Sequence, residues 1–546
     1  MMAKRVEQRL SFLCLFGIVC LSAYLRLSGI TWGIGSGYGH YLNFQPDEFV
    51  SIRGMLPIQP LAGKIKAPGA YFEGTFNYYL WAAPEVLHTW WSGAPPIVGQ
   101  NVPPDRVKFI LLTCRLMTVA FDLAALIVLF AIIFELTGQS AAALLGALFY
   151  GIFPMQVIYS HFMRTHLLSN LLCVLVIWFS MKALKHRRWW LFGAAGVLAG
   201  LGGATRYPVG IILSIPYLFV LFAAEAGSET WQRRFVTAAR YLLSGPLWLL
   251  AGGFVVGLFV GEPMLFFDSP SVIHAISSET LHYVPPGAGK LFDLEPVWKY
   301  FSVLIPYATY PVLWVVIYLS LLFALFRRSL SHIVLPLCLF AALYTYPMAK
   351  GYIVVFARQV MLLLPVCCIF VGLTFERVFT KVSNGWFLSG LVAALLALVI
   401  IPTLLFDLAY GQAMQRRDVR DLLRQDLGEL VKAQSSVTIG VSESGGYFYT
   451  AMPGVFPLKS EHVTVRLQRS SSTPADFFVM GFQRPLTENQ CNGAIRQVES
   501  GGEFSFMKTY SSVPTVLGKR LDLSSFPPDM TYPFPTILLF RKATKP

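Results

Sequence analysis

The feature that most constrains this chain is a series of long apolar runs, separated by short polar connectors, that recurs from near the N-terminus to about residue 408. An apolar run of about 20 residues, coiled as a helix, crosses a hydrocarbon layer about 30 Å thick. One such run also suits a buried helix of a soluble protein, but a long succession of them does not. The runs fall at 10–30, 109–134, 141–159, 166–181, 189–204, 207–224, 240–261, 301–326, 330–348, 359–376 and 385–408. Thr205, Arg206, Tyr207 and Pro208 interrupt the apolar stretch 189–224, which therefore reads as a hairpin of two short helices. Only 13% of the residues are charged, against roughly 25% in soluble domains. The expected fold class is an all-α polytopic membrane protein of about eleven transmembrane helices, with a small α/β domain after them.

Basic residues set the expected orientation. The first run follows Lys4, Arg5 and Arg9 and lacks a clear small-x-small cleavage site, so it reads as an uncleaved span that starts inside. The inner connectors then carry Lys182, Lys185, Arg187 and Arg188, then Arg233 and Arg234, Arg327 and Arg328, and Arg377 and Lys381. The short outer turns are lightly charged, with Arg164, Arg206, Lys350 and Arg358 as exceptions. On this assignment a membrane domain, 1–408, places its loops 31–108 and 262–300 outside, and the tail 409–546 is also outside. The tail opens with a charged, helix-like stretch at 414–433. Strand-like runs follow at Val437–Val441, His462–Leu467, Phe477–Met480 and Thr536–Phe540. It shows no hydrolase elbow, P-loop or dinucleotide fingerprint, which favours capping or substrate positioning over independent catalysis.

The net charge of +14 raises the question of an anionic partner. The basic residues sit in short clusters between apolar runs, which points to membrane lipids and away from nucleic acid. Seven of the eight cysteines lie within apolar runs, Cys491 stands alone in the tail, and no CxxC occurs. Neither a disulfide framework nor a redox or zinc motif is indicated.

A few polar residues stand out near the outer surface. Asp47 and Glu48 lie in an aromatic-flanked segment soon after the first run. Pro-Asp-Glu also makes a good first helical turn, so the pair suits a helix start as well as a general base or metal ligand. A partly desolvated carboxylate is suited to take a proton from a sugar hydroxyl. Glu73 is followed by Tyr78 and Tyr79 in a stretch whose rings fit either sugar stacking or an interfacial aromatic belt. Arg115 and Asp122 lie two turns apart in the second run and both need partners inside the bundle. His161, Arg164 and His166 cluster at the outer end of the next two runs. They suit a phosphate or a metal, although the i,i+5 histidine spacing is not a zinc motif. Arg206 and Arg358 are further outer cations, at a depth that suits a lipid phosphate or simple snorkelling. Loop 262–300 carries Glu262, Asp268, His274, Glu279, His282 and Lys290 around a Pro285-Pro286-Gly287 turn, but fixes no mechanism.

Three stretches together carry a family resemblance: QPDEFVS, YFEGTFNYYLWA and VVFARQVMLLLP. They resemble segments of the membrane-embedded GT-C glycosyltransferases, in particular the bacterial relatives of protein O-mannosyltransferases and of the aminoarabinose lipid A transferase. Weaker echoes are YSHFMRTHLLSN, GLGGATRYPVGIIL and GEPMLFFDSPSVIHAISSETLHYVPPG. The resemblance implies transfer of a sugar from a polyprenyl-phosphate carrier to an acceptor on the outer face of a bacterial inner membrane. It implies Asp47 as catalytic carboxylate, Glu48 shaping the same site, Arg358 and Arg206 holding the donor phosphate, and Glu73 as a further acid. His161, Arg164 and Tyr78 are candidates for the same substrate site. The chain departs from the pattern at Thr165-His166, where many relatives carry an aspartate; metal use stays open, with a divalent ion possible and no cofactor certain. Direct displacement by a deprotonated hydroxyl, with inversion at the sugar, is the expected chemistry. The acceptor stays open among protein, lipid and glycan. The main rival is a membrane transporter, whose expected repeated halves are not evident in the sequence; a non-catalytic scaffold predicts that Asp47 lines no cavity.

Overall fold

The computed structural model describes residues 2–34, 44–60, 63–64, 71, 73–95, 97, 102–225, 245–283, 294–351, 356–382, 385–432, 434, 436–442, 463–468, 475–482 and 484–543. Arg233, Arg234, His462, the Pro285-Pro286-Gly287 turn and Lys290 lie outside the described residues, as do the side chains of Glu279, His282 and Arg328. The chain divides into two compact units: residues 1–27, 53–96 and 114–404 in the first, and 28–52, 97–113 and 405–546 in the second.

The first unit is helical. In chain order it contains α1 (Met2–Leu27), α3 (Phe76–Ser92), most of α4 (Pro104–Thr137), α5 (Ser140–Gly151), α6 (Pro154–Ser160), α7 (His166–His186), α8 (Trp190–Thr205) and α9 (Ser214–Glu225). The helices Gly245–Gly261, Leu313–Leu325, Ser331–Gly351 and Leu364–Val382 follow, with most of Trp386–Gln415. The short helix α2 (Pro46–Met55) begins in the second unit.

The structure has fewer full-length spans than the expected count of about eleven transmembrane helices. Among the described residues six helical stretches are long and apolar enough to cross a membrane: Val6–Leu27, Pro104–Thr137, His166–His186, Ser331–Gly351, Ala357–Val382 and Trp386–Val431. The pair α5 and α6, bent by 54°, makes a seventh if counted as one span. The two short helices expected within 189–224 are present as such, and the expected spans at 240–261 and 301–326 are also shorter apolar helices. At 1.5 Å per residue, a helix of this length falls several ångströms short of a hydrocarbon layer of about 30 Å. The causes are local. Arg206 takes an extended conformation ahead of Pro208 and separates α8 from the next helical segment. In 301–326 the helix stops at Ala308 and restarts at Leu313, around Pro311.

Two devices hold the first unit together. α8 lies directly on the helix Gly245–Gly261, backbone against backbone. A Cβ on Gly200 would stand 2.2 Å from the Phe254 carbonyl oxygen, and one on Gly257 2.1 Å from that of Val197. Small residues permit this approach, which is how apolar helices associate where no hydrophobic drive separates them from lipid. The second device is a buried ion pair. Asp122 on α4 accepts from Arg26 Nε of α1 at 2.5 Å and from the Tyr150 hydroxyl of α5 at 2.6 Å. Arg26 also reaches the Gly151 carbonyl at 2.7 Å. Asp122 therefore finds its partners on α1 and α5.

Connectors expected on one side of the bundle meet each other. Lys182 and Lys185 pair with Glu135, and Arg327 pairs with Glu376. Those expected on the other side also meet, through Glu73 and Arg164, and through Thr75 and Gly261.

Among the described residues of the second unit, the tail forms a five-stranded sheet in the order β2-β1-β3-β7-β4, from β1 (Val437–Ser442), β2 (Val463–Gln468), β3 (Phe477–Phe482), β4 (Phe504–Ser511) and β7 (Thr536–Lys542). β1 runs parallel to β2 and β3, and β7 runs antiparallel to β3 and β4. A small hairpin of β5 (Thr515–Val516) and β6 (Lys519–Arg520) is separate. The strands alternate faces, as the two-residue period requires. Ile537 and Leu539 pack with Leu423 and Leu427 of the helix Val419–Val431, whereas Leu538 and Phe540 pack with Val498 of the helix Glu488–Glu499. The expected α/β character of the tail is therefore present.

Candidate functional site

The polar cluster of the first unit is built on the ends of its apolar helices. The segment 73–79 is clamped onto the end of α8. Gly74 has φ +94°, and a Cβ there would lie 2.4 Å from the Ala204 carbonyl oxygen, so only glycine fits. Thr75 donates from its hydroxyl to the Gly261 carbonyl at 2.9 Å. The Asn77 amide, oriented to donate, reaches Gly74 O at 3.0 Å and Thr205 O at 3.2 Å. The Tyr207 hydroxyl donates to the Tyr71 carbonyl at 2.6 Å and stands 3.5 Å from Glu262 Oε2.

This clamp presents Glu73 to Arg164, whose Nη2 lies 2.6 Å from Glu73 Oε1. Arg164 lies in the break between α6 and α7, and His166 opens α7 directly after Thr165. His166 is buried, its ring packs edge-on against Tyr159 at 5.0 Å, and neither ring nitrogen has a hydrogen-bond partner among the described residues. The guanidinium groups of Arg206, Arg164 and Arg358 all act on that ring. Arg358 donates to the Tyr159 hydroxyl at 3.4 Å and lies over the Phe356 ring at 4.2 Å. Its turn is pinned by Gln359, which accepts from Tyr300 at 3.0 Å on its side chain and from Tyr344 at 2.9 Å on its carbonyl. Tyr78 is fully buried and feels Glu73, Arg164, Tyr207 and Glu262. Glu73, Tyr78, Arg164, Arg206 and Arg358 are thus brought into one polar locality. His161 turns its Nδ1 to the Val157 carbonyl at 2.7 Å, at the end of α6.

Asp47 and Glu48 belong to the second unit, in the first turn of α2. Gln45 caps that turn, its side-chain oxygen accepting from the Glu48 amide at 2.6 Å. Glu48 is fully buried and Asp47 half-buried. The segment ahead of them is held by the start of the helix Val419–Val431. Arg420 pairs with Asp418 through two hydrogen bonds of 2.7 Å, and its guanidinium lies 3.9 Å from the Phe44 ring centre and 5.5 Å from that of Trp32. Trp32 Nε1 donates to Asp418 at 3.2 Å.

Sequence reasoning did not single out Asp418, Arg420 or Glu262 for a role in a site. Glu262 is one of several acids in its loop, and nothing in its spacing marks it, but in the fold it is buried beside Tyr207. Burial raises its carboxyl to about 7, against the opposing pull of Thr75 and Tyr207. Burial, Glu262 and Asp268 together push the Tyr71 phenol up to about 12.

Among the described residues no group of three or more His, Cys, Asp or Glu side chains is placed to hold a metal ion. The surroundings of His166, with three guanidinium groups acting on it, favour an anion over a divalent cation.

Residues 109–249 match the family described as dolichyl-phosphate-mannose-protein mannosyltransferase. No curated protein matches the chain by sequence. The fold is similar to that of the archaeal oligosaccharyltransferase AglB from Archaeoglobus fulgidus, solved in complex with an inhibitory peptide and a dolichol-phosphate. The TM-score is 0.52 at 14% identity, over 87% of this chain and 69% of that one. ArnT from Cupriavidus metallidurans, bound to undecaprenyl phosphate, aligns over 96% of this chain and 97% of its own, at 12% identity and a TM-score of 0.44.

Proposed function

We propose that this chain is a membrane glycosyltransferase that moves a sugar from a polyprenyl-phosphate donor to an acceptor hydroxyl at the outer face of a bacterial inner membrane. The observation that carries the reading is that the guanidinium groups of Arg164, Arg206 and Arg358 all act on the buried His166, whose ring nitrogens have no hydrogen-bond partner among the described residues. Three guanidinium groups held by apolar helices suit a lipid phosphate, because a guanidinium stays charged at low dielectric and presents paired donors.

In this mechanism Arg206 and Arg358 hold the donor phosphate and offset the charge it gains as the bond to the anomeric carbon breaks. Arg164 is oriented by its ion pair with Glu73. Asp47 takes the proton of the incoming hydroxyl, and Glu48, buried one residue on, shapes the same turn. The hydroxyl oxygen attacks the anomeric carbon directly, the phosphate leaves with the bonding pair, and the sugar inverts. The tail 409–546 acts outside the membrane as a positioning domain, through the Arg420 contact with the segment ahead of the acid pair.

The test is incorporation of labelled sugar from polyprenyl-phosphate hexoses and aminopentoses in proteoliposomes. Asp47→Asn is expected to lower the rate roughly 100- to 10,000-fold, the range of a lost general base. Full activity in that variant removes Asp47 from the mechanism, and a product that retains the donor's configuration rules out direct displacement. Transport of the intact lipid-linked substrate without transfer establishes the transporter instead.

A further inference from the structure

Buried polar atoms without partners are costly, about 1–3 kcal/mol each, and a cluster of them marks a place that waters or a ligand complete. One such cluster surrounds the clamp. Tyr71 Oη, Tyr78 Oη, Glu73 Oε2 and Glu262 Oε1 all lack a hydrogen-bond partner among the described residues. They share one locality. The Tyr207 hydroxyl donates to the Tyr71 carbonyl at 2.6 Å and stands 3.5 Å from Glu262 Oε2. Thr75 ties the segment that carries Glu73 and Tyr78 to Gly261, and Glu73 and Glu262 both act on Tyr78. Tyr207, near Oε2, and Thr75 both bear on the Glu262 carboxyl, which leaves Oε1 as the oxygen still to be completed. Glu73, Tyr79 and Tyr207 are only half-buried, which leaves the cluster an open side. Carboxyl groups and phenols held beside aromatic faces form the donor and acceptor set that recognises a polyhydroxylated ring, whose hydroxyls both donate and accept.

We propose that Glu262, Tyr71 and Tyr78 form a subsite that reads the hydroxyl groups of the donor's sugar, with Glu262 as its principal acceptor and Tyr207 as the residue that braces it. This rests on the reading of the chain as a lipid-phosphate-dependent glycosyltransferase, and it assigns sugar recognition to residues separate from the arginines that take the phosphate. The backbone fixes the position of Glu262. Its amide bonds to Leu258 O at 2.7 Å, and Gly261 before it packs so tightly on Ala204 that a Cβ there would stand 2.5 Å from the Ala204 Cβ.

The test compares binding of two probes to the full-length protein in nanodiscs: a short-chain polyprenyl phosphate, and the same lipid carrying a hexose or an aminopentose. In the wild type at least one sugar-bearing lipid binds more tightly than the bare lipid phosphate. Glu262→Ala is expected to weaken that lipid about 10-fold, which one lost hydrogen bond of about 1.4 kcal/mol corresponds to, and to leave the bare lipid phosphate within about 2-fold. Tyr207→Phe, which keeps the ring and removes only the hydroxyl, shifts the same preference in the same direction and serves if the alanine variant does not fold. Equal affinity of the wild type for bare and sugar-bearing lipids overturns the subsite, as does a Glu262→Ala variant that loses both probes alike or neither. Failure of the wild type to bind any lipid phosphate overturns the glycosyltransferase reading itself and the subsite with it.

Discussion

Arg420→Ala tests whether the tail positions the acid pair. In the folded chain Arg420 and Asp418 form a two-point ion pair with side-chain exposures of 7% and 3%. The guanidinium plane is spent on the Phe44 and Trp32 rings. Phe44 precedes Asp47 by a single turn of chain, so the contact governs how the first turn of α2 is presented. Exposed ion pairs contribute little, but breaking a buried one strands the remaining charge and costs about 3–5 kcal/mol. The lost cation–π contact adds about 0.5–2 kcal/mol. In Arg420→Ala the Asp418 carboxylate keeps Trp32 Nε1 and the helix-start amide of residue 420, which lowers the expected cost to the bottom of that range. A loss of about 3 kcal/mol confined to this region loosens the turn without unfolding the helical unit. A misplacement of about 1 Å at a reacting group lowers a rate on the order of 100-fold. The expected result is therefore a fall in kcat of that order, with donor KM changed by less than about 3-fold. Arg420→Lys restores part of the rate, because it keeps the charge over the rings but not the two-point pair. An unchanged kcat in Arg420→Ala, or transfer at the wild-type rate after deletion of 409–546, refutes the positioning role.

Further expectations follow from other contacts. Asp122→Asn leaves Arg26 without its counter-charge in a fully buried site and should lower stability by about 3–5 kcal/mol, whereas the double variant Arg26→Met/Asp122→Leu recovers most of it; additive losses in a double-mutant cycle speak against the pair. Gly257→Leu should separate α8 from its partner helix, read as loss of folded protein in detergent, while the same change at Gly252, with open space around it, is tolerated. For Glu262 the folded chain keeps a proton, to about pH 7, that the unfolded chain releases above 4.5. Its stabilisation is full below about 4.5 and is lost as pH rises to about 7, roughly 3 kcal/mol in total at about 1.4 kcal/mol per pH unit. The facing groups Tyr71, Tyr78, Tyr79 and Tyr207 are phenols that ordinarily ionise near 10, outside that window. Glu262→Gln should therefore become more stable relative to the wild type between about pH 5 and pH 8, and parallel unfolding curves contradict the assignment.

Much of the site was legible as residue types and little of it as partners. Glu73, Arg164, Arg206 and Arg358 stand out in the sequence because charges are rare among apolar runs and each must be satisfied. That the three arginines act on His166 depends on the break between α6 and α7 and on the turn pinned by Gln359, neither of which has a sequence period. Asp122 illustrates the limit. Its need for a partner was evident from burial in an apolar run, but Arg26 lies on another helix, 96 residues away. Glu262 was one acid among several in a polar loop until the fold buried it.

The sequence by itself determined the environment, because apolar runs of span length have few alternatives to a bilayer. It also indicated strands of the tail and offered a helix start at Pro46-Asp47-Glu48, which the structure contains, since both follow from local pattern. Tertiary structure decided how many runs are long enough to cross. The break at Arg206–Pro208 was legible in the sequence, whereas the one around Pro311 shortens a helix that hydropathy alone lengthens. It also decided which charges share a locality and which carboxyl is buried. Hydropathy is a property of single segments, whereas pairing and burial belong to surfaces brought together from distant parts of the chain.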